Sequence, residues 1–247
     1  MTVKTKGLVI REQKVAENDC VITLLTDAYG VIRVWTKGIF NPKSRNSAAR
    51  LFCFSEFTLF KSRDRYSLNS VDLIDGFFNL RRDIVALSLC SYISQVSASL
   101  LDEYAETSDI LSLVLNCFYL AAENKKPLEL IKACFEFRLA SLLGYTPLLS
   151  SCEGCESTDF PPEGISCLDL QSGTVTCVSC SRIKSSVIRI PPAVLLALRH
   201  IISAPAEKLF SFSLGGENAA LLGQVTEKYL ITQCGRSFPA LDFYKGL

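Results

Sequence analysis

The sequence predicts an α+β fold, in which a small closed β-barrel is followed by a mainly α-helical part with an inserted cysteine module. Short runs of β-branched and apolar residues, separated by polar turns, fill roughly the first 75 residues. From Asp83 onward, apolar residues recur at helical spacing. Two C-x2-C pairs then interrupt the helical part. Because 49 % of the 247 residues are hydrophobic, the chain can bury a sizeable core.

Five strands are predicted in the first part, at residues 3–11, 20–26, 31–36, 51–60 and 66–74. A turn is predicted between the second and third strands, since Gly30 can adopt the positive φ that tight turns often need. A long basic loop (GIFNPKSRNSAA, residues 38–49) follows the third strand, and loops of that length in compact barrels are usually functional. Five short strands with polar turns are typical of a small closed barrel.

The helical part shows capping signals as well as helical spacing. Ser108 is predicted to cap a helix, Pro127 suits the first position of the next, and Gly144 suits a left-handed cap at its end. Further along the chain, Pro191-Pro192 opens another helix and a last one is expected over about 217–233. We therefore expect a barrel domain at residues 1–80 and a helical domain at residues 81–247, with the cysteine module inserted at about 150–182.

The net charge of +1 conceals an uneven distribution. Residues 1–82 contain 14 Lys/Arg and 8 Asp/Glu, a local balance of +6. Residues 83–150 contain 4 and 8, and residues 151–247 contain 8 and 9. A basic first third indicates a domain that faces nucleic acid, and a solvated basic surface without function is the alternative.

Four of the eleven cysteines, Cys152, Cys155, Cys177 and Cys180, form two C-x2-C pairs separated by 21 residues. Each pair lets two thiols reach one ion from a tight turn, and four sulfur ligands leave no open position, so the spacing predicts one structural Zn²⁺ ion. A redox-active pair at Cys152 and Cys155 is the alternative. Five other cysteines lie in apolar stretches and are expected to pack as small hydrophobic residues: Cys20, Cys53, Cys90, Cys117 and Cys134.

Motifs for catalysis or membrane insertion are not found in the sequence. The single histidine, His200, is followed by two isoleucines, which excludes the His-x-Glu and His-Glu-x-x-His signatures. Neither a G-x-S-x-G turn nor a P-loop is present. The apolar runs are shorter than the roughly 18–20 residues of a membrane span, and residues 1–7 lack a signal-peptide segment. We therefore expect a cytoplasmic protein that is not an enzyme and has no membrane partner.

Several short motifs occur in an order that is typical of one family. They are KGLVIR at 6–11, END at 17–19, VITLLT at 21–26, Lys37-Gly38, PKSR at 42–45, FEFRL at 135–139, LLGYTP at 142–147, the four cysteines, Tyr229-Leu230, Gly235-Arg236 and Phe243. Over essentially the whole chain this pattern resembles the bacterial RecO recombination-mediator family. The chain departs from the family at Cys20, where arginine is common, at Phe40-Asn41, where two arginines are usual, and at Ser172-Gly173, where two glycines are usual.

The resemblance implies an oligonucleotide-binding (OB-fold) barrel, a helical domain and a zinc-bearing module. It implies a nucleoid-associated protein that binds single- and double-stranded DNA and anneals complementary strands. The implied partners are the C-terminal tail of the single-strand-binding protein and RecR, with which the family loads RecA onto covered DNA. A zinc-ribbon adaptor that binds protein and not DNA is the alternative, and it would show no salt-dependent retention on single-stranded DNA.

Seven cations of the first part are candidate phosphate contacts on one basic track. Four belong to the loop region and three to the following hairpin: Lys37, Lys43, Arg45 and Arg50, then Lys61, Arg63 and Arg65. Trp35 and Phe40 are candidates for stacking on bases. Since Trp35 lies within a strand, packing in the barrel core is the favoured alternative for it.

Overall fold

The computed structural model describes residues 1–40, 47–63, 65–103, 105–158, 164–182 and 184–247. The predicted phosphate contacts Lys43 and Arg45 lie outside the described residues. The chain divides into two compact units. Unit 1 consists of Met1–Asn124 together with Phe238–Leu247, and unit 2 consists of Lys125–Ser237.

A closed five-stranded barrel with the strand order β1-β2-β3-β5-β4 forms the centre of unit 1. Its strands are β1 (Thr2–Lys14), β2 (Cys20–Thr26), β3 (Val31–Thr36), β4 (Phe54–Ser62) and β5 (Arg65–Asp75). All neighbouring strands are antiparallel except β3 and β5, whose parallel pairing closes the barrel. The predicted five-stranded barrel is confirmed, and Gly30 has the expected positive φ of 68°.

Side chains alternate between the barrel core and the outer surface, as expected for strands. On β3, Ile32 and Val34 are buried, while Arg33 and Trp35 point outward. The expectation that Trp35 packs in the core is therefore wrong, because it occupies an outward position of the alternation and 48 % of it is exposed. The predicted apolar role of the five single cysteines is confirmed, since all five are buried.

Three helices complete unit 1: α1 (Ile84–Leu100), α2 (Ser108–Ala122) and α6 (Pro239–Lys245). The Asp83 carboxylate caps α1 by accepting hydrogen bonds from two backbone N–H groups of its first turn. α6 was not predicted, because seven residues are too few for a periodic signal. It packs on α1, where its Ala240 N–H donates to Gln95 Oε1 over 2.9 Å.

The start of α2 differs from the prediction. Ser108 is the first helical residue and Thr107 is the N-cap. The Thr107 side chain does not cap the helix, because its Oγ1 donates to the Thr26 carbonyl oxygen at the end of β2 over 2.7 Å. This buried hydrogen bond connects α2 to the barrel.

Unit 2 contains three helices and a small sheet. The helices are α3 (Leu128–Leu142), α4 (Pro192–Ser203) and α5 (Gly216–Cys234). Pro127 is the N-cap of α3, one position earlier than predicted, and Gly144 follows the helix with the expected positive φ, here 92°. Among the described residues, none of the helices has both the length and the apolar character needed to cross a bilayer.

The sheet of unit 2 has the strand order β6-β8-β7-β9. Its strands are β6 (Leu148–Cys152), β7 (Ser166–Asp169), β8 (Thr174–Cys177) and β9 (Val187–Ile190). Because β6 and β8 are neighbouring parallel strands, their C-terminal ends lie at the same edge. These ends are Cys152 and Cys177, the first cysteine of each C-x2-C pair.

Candidate metal centre and nucleic-acid interface

Four cysteine sulfurs meet at the edge of the unit 2 sheet. The Sγ atoms of Cys152, Cys155, Cys177 and Cys180 all lie within 4.8 Å of one another, so the cluster can hold a metal ion. The sheet places the first cysteine of each pair, and the tight turn that follows returns the second one to the same point. Two matched C-x2-C turns are the usual framework of a closed four-sulfur site.

Gly154 makes this convergence sterically feasible. A Cβ atom at this position would lie 2.6 Å from the Cβ of Cys180 and 3.0 Å from its Sγ. Real Cβ atoms do not approach other atoms this closely, so a side chain here would displace Cys180. The first turn therefore needs glycine between its two cysteines because the second turn packs against it.

The electrostatics of the cluster favour a bound cation. Burial disfavours ionisation of Cys152, but backbone N–H groups, including that of Cys177 at 3.3 Å from its Sγ, lower its pKa to about 6. The neighbouring sulfurs of Cys177 and Cys155 raise the pKa of Cys180 to about 12. Several thiolates this close repel one another, and a divalent ion offsets that repulsion.

The predicted DNA-contacting cations that the structure describes lie on two parts of the barrel. Lys61, Arg63 and Arg65 lie on the β4–β5 hairpin, beside the start of β1, where the Lys61 backbone N–H donates to the Met1 carbonyl. Arg50 forms an ion pair with Glu12 near the other end of β1, with 2.9 Å between Nε and Oε1. Because β1 curves around the barrel, Glu12 is connected through Ile22 and Val34 to Tyr66, the cross-strand partner of Lys61, over three strand spacings or roughly 15 Å.

Each of the other candidates has a definite position. Lys37 directly follows β3 and is exposed. The Lys61 ammonium lies 5.1 Å from the ring centroid of Tyr66, its cross-strand partner. Phe40 is partly buried against the barrel core, and the Arg50 guanidinium lies 4.8 Å from the centroid of its ring. One side of the Phe40 ring is thus occupied by a cation.

Two exposed aromatic side chains lie on neighbouring parts of the barrel surface. Ser67 of β5 pairs with Trp35 of β3 on one side and with Phe60 of β4 on the other. Trp35 is 48 % exposed and Phe60 is 50 % exposed. We call this row of three outward-facing residues the aromatic face. With strands about 4.8 Å apart, the two aromatic residues are roughly 10 Å from each other.

Cations surround the aromatic face. Arg33 and Lys37 lie two positions before and after Trp35, and Arg65 lies two positions before Ser67 on β5. Lys4 of β1 pairs with Thr58, two positions before Phe60. All four cationic side chains are exposed. Aromatic rings within a rim of cations provide both stacking and phosphate contacts.

Phe60 was not identified from the sequence as a functional residue, although a signal was present. On β4, Phe57 and Leu59 are buried in the barrel core and Phe60 is exposed, as strict alternation requires. Arg33 was also missed, although it lies two positions before Trp35 on the same strand and the alternation places both on one face. Lys4 was missed because its proximity to Phe60 depends on the pairing of β1 with β4, which are distant in the sequence.

Comparisons with known proteins agree with this architecture. Residues 1–77 match the family model described as "Recombination protein O N terminal", and residues 81–242 match "Recombination protein O C terminal". The "DNA repair protein RecO" of Acetivibrio thermocellus is 33 % identical over 99 % of this chain and 96 % of its own length. The proteins of that name from Caldicellulosiruptor bescii and Alkaliphilus metalliredigens are 28 % and 27 % identical, over 98 % and 99 % of this chain and the same shares of their own lengths. The chain therefore belongs to the RecO family of DNA repair and recombination proteins.

Proposed function

We propose that this protein binds single-stranded DNA on the aromatic face of its barrel. The observation that carries the proposal is the pair of half-exposed rings, Trp35 and Phe60, on either side of Ser67. Bases stack on these rings, and the phosphates between them contact Arg33, Lys37 and Arg65. Stacking and phosphate contacts do not distinguish one base from another, so binding is independent of sequence.

Strand annealing follows from the same contacts. A bound strand is held extended, and the cations around it lower its repulsion from a complementary strand. The phosphate contacts also apply to double-stranded DNA, which we propose as a weaker ligand because its bases are already stacked on one another. No nucleotide cofactor is needed for either activity. In this proposal residues 1–80 are the DNA-binding domain and residues 81–247 the domain for protein contacts.

The partners that we propose come from membership of the RecO family. They are the C-terminal tail of the single-strand-binding protein, and RecR, which acts with this protein to load RecA onto covered DNA. This mediator role needs positioning of strands and proteins and no covalent chemistry. A nucleoid-associated location accords with DNA as the main ligand.

We infer that the ion of the four-cysteine centre is Zn²⁺ and that its role is structural. Four sulfur donors suit zinc, and a site filled by four protein ligands has no position for substrate or water. Cys152, Cys155, Cys177 and Cys180 would hold the ion. Its binding would stabilise the edge at which β6 and β8 end.

The test is binding of a fluorescently labelled oligothymidine to Trp35→Ala/Phe60→Ala, measured by anisotropy. Each stacked base contributes about 1–3 kcal/mol, so we expect the dissociation constant to rise roughly tenfold or more. Both side chains are half-exposed, so thermal stability should change little. For the intact protein, log affinity should fall linearly with log salt concentration.

Phe243→Ala is the matched control, because Phe243 is an aromatic residue of α6 that is 57 % exposed and lies outside the barrel. Equal affinities for the double variant and the control would contradict a role for the aromatic face. If the unmodified protein shows no retention on single-stranded DNA at low salt, the adaptor alternative is correct.

A further inference from the structure

A second exposed aromatic residue lies in unit 1, away from the aromatic face. Phe78, just after β5, is 63 % exposed and borders a groove of about 590 Å³. The groove has an apolar floor, and two arginines line it. Its lining includes Leu51, Phe52, Cys53, Leu87, Arg50 and Arg81. We call it the Phe78 groove.

The Phe78 ring is held in place although it is exposed. A Cβ atom on Gly76 would lie 2.4 Å from Cζ of Phe78, so the ring lies directly over this glycine. The guanidinium carbon of Arg81 lies 5.4 Å from the ring centroid. Arg81 is itself oriented, because it donates to the carbonyl oxygens of Gly76 and Leu51, each over 3.2 Å. An exposed ring fixed in this way is ordered before any ligand binds.

Two residues with strained backbones lie at the groove: Phe52 lines it, and Phe77 directly precedes Phe78. Phe52 and Phe77 both have the left-handed backbone that side chains rarely adopt, with φ values of 66° and 42°. Their rings pack edge-to-face on Phe118 of α2, with centroid distances of 5.3 and 5.5 Å. Backbone strain persists only where the surrounding packing enforces it, and it is frequent at binding sites.

Three arginines give the Phe78 groove donors for an anion. Arg81 has five N–H donors, of which two are used by the two carbonyls, and its guanidinium also bonds to the Cys53 side chain, which leaves others for a ligand. Arg82 is adjacent and exposed, and the Arg50 side chain is 44 % exposed. The nearby Glu12 carboxylate already accepts hydrogen bonds from Arg50 and from the backbone N–H of Leu51.

Two further acidic residues lie near the groove, and both already accept hydrogen bonds. The Asp75 carboxylate accepts from the backbone N–H of Phe77 over 2.8 Å. The Asp83 carboxylate caps α1. The carboxylates near the groove are thus oriented by the protein's own donors and keep their negative charge, while Arg81 and Arg82 are exposed to solvent.

The Phe78 ring and the aromatic face lie at different ends of β5. Ser67 lies near the start of β5, whereas Phe78 follows its end at Asp75. At about 3.3 Å per residue, the eight steps between Ser67 and Asp75 follow roughly 25 Å of strand. A strand of two or three nucleotides is too short to cover both positions, whereas a longer one can cover both.

We infer that the Phe78 groove is a second binding site for single-stranded nucleic acid, with a base stacked on Phe78 and a phosphate on Arg81 and Arg82. The inference rests on the proposed function and extends it. One molecule then holds two strands, one on the aromatic face and one in the Phe78 groove. Annealing would begin between two strands that are bound to the same protein.

The experiment is a stoichiometric titration with a labelled oligothymidine of three nucleotides, which is too short to occupy both sites at once. We expect two equivalents for the unmodified protein and one for either Phe78→Ala or Trp35→Ala/Phe60→Ala. The triple variant should bind none. Phe78→Tyr keeps an aromatic ring and should retain both equivalents. The annealing rate of two complementary strands should fall at least tenfold in Phe78→Ala and recover in Phe78→Tyr.

Three results would overturn the inference in different ways. A single equivalent for the unmodified protein, unaffected by Phe78→Ala, removes the second site and leaves the proposed function intact. If Phe78→Ala still binds two equivalents of oligothymidine, the second strand binds somewhere other than the Phe78 groove. No bound oligonucleotide at all contradicts the proposed function itself. If Phe78→Ala lowers RecR binding while oligonucleotide uptake is unchanged, the groove is a protein contact.

Discussion

The absence of a side chain at Gly154 allows the four cysteines to come together. A Cβ atom at this position would lie only 2.6 Å from the Cβ of Cys180. We expect Gly154→Ala to lower zinc affinity by roughly 10–100-fold, the range seen when groups around metal ligands are disturbed. Competition with a chromophoric chelator measures this affinity.

Gly223→Ala is the control for that variant. Gly223 lies within α5, and a Cβ atom there would meet nothing within 4 Å. This substitution should leave zinc affinity unchanged and raise helix stability by about 0.5–1 kcal/mol. Equal zinc affinities for the two variants would show that Cys180 moves aside at no cost.

Residue identities could be predicted where the chemistry is local. Two residues between paired cysteines are enough to indicate a metal turn, whatever the rest of the fold. The orientation of Trp35 was harder to predict, because the sequence placed it in a strand without showing whether it faces the core or the solvent. The buried neighbours Ile32 and Val34 set that side, and the alternation through them was the available signal.

At the scale of elements, the hydrogen bond between Thr107 and Thr26 joins the start of α2 to the end of β2. Both residues are fully buried, so no water replaces the bond if it is lost. We expect Thr107→Val, which keeps the shape and removes the hydroxyl, to lower the free energy of unfolding by about 1–3 kcal/mol. Denaturant unfolding followed by tryptophan fluorescence measures it.

Thr107→Ser keeps the hydroxyl and should retain most of that stability. If the valine variant is as stable as the unmodified protein, the hydrogen bond does not contribute to stability. A loss of stability in the serine variant measures the packing of the methyl group. The comparison therefore separates the two contributions at one position.

Elements with a strong periodic signal could be predicted closely. The bounds of β2 and β3 match the expected residues 20–26 and 31–36, because each is an apolar run between polar turns. The sheet β6–β9 was not predicted, since its strands have only four or five residues. Such short strands exist through their pairing and leave little pattern in the sequence.

At the scale of the whole molecule, metal removal should affect one part of unit 2. Chelation removes the ion that connects the four cysteines at the shared end of β6 and β8. We expect faster amide exchange in residues 148–155 and 174–180 after chelation, while the barrel strands of unit 1 remain protected. Hydrogen exchange with mass spectrometry measures both regions in one sample, so the barrel is an internal control. Unchanged exchange around Cys152 and Cys177 would contradict a structural role of the ion.

The charge asymmetry of the sequence indicated which third of the chain is basic, but not which of its cations lie together. Lys4 and Phe60 are far apart in the sequence but lie on adjacent strands. Glu12, the ion-pair partner of Arg50, lies only three strand spacings from Tyr66, the residue that follows Arg65. Strand register decides this, and register depends on pairings between distant segments. The composition of the interface was therefore accessible from the sequence, and its arrangement was not.

Unit 1 is interrupted in the sequence by the whole of unit 2, since Phe238–Leu247 returns to pack on α1. During translation, all of unit 2 (Lys125–Ser237) is therefore synthesised before the C-terminal segment that completes unit 1. Until then the α6-binding surface of α1 stays open to chaperones. Removing these ten residues would therefore destabilise unit 1, which contains the barrel, and a fusion tag placed next to α6 would lie on that same unit.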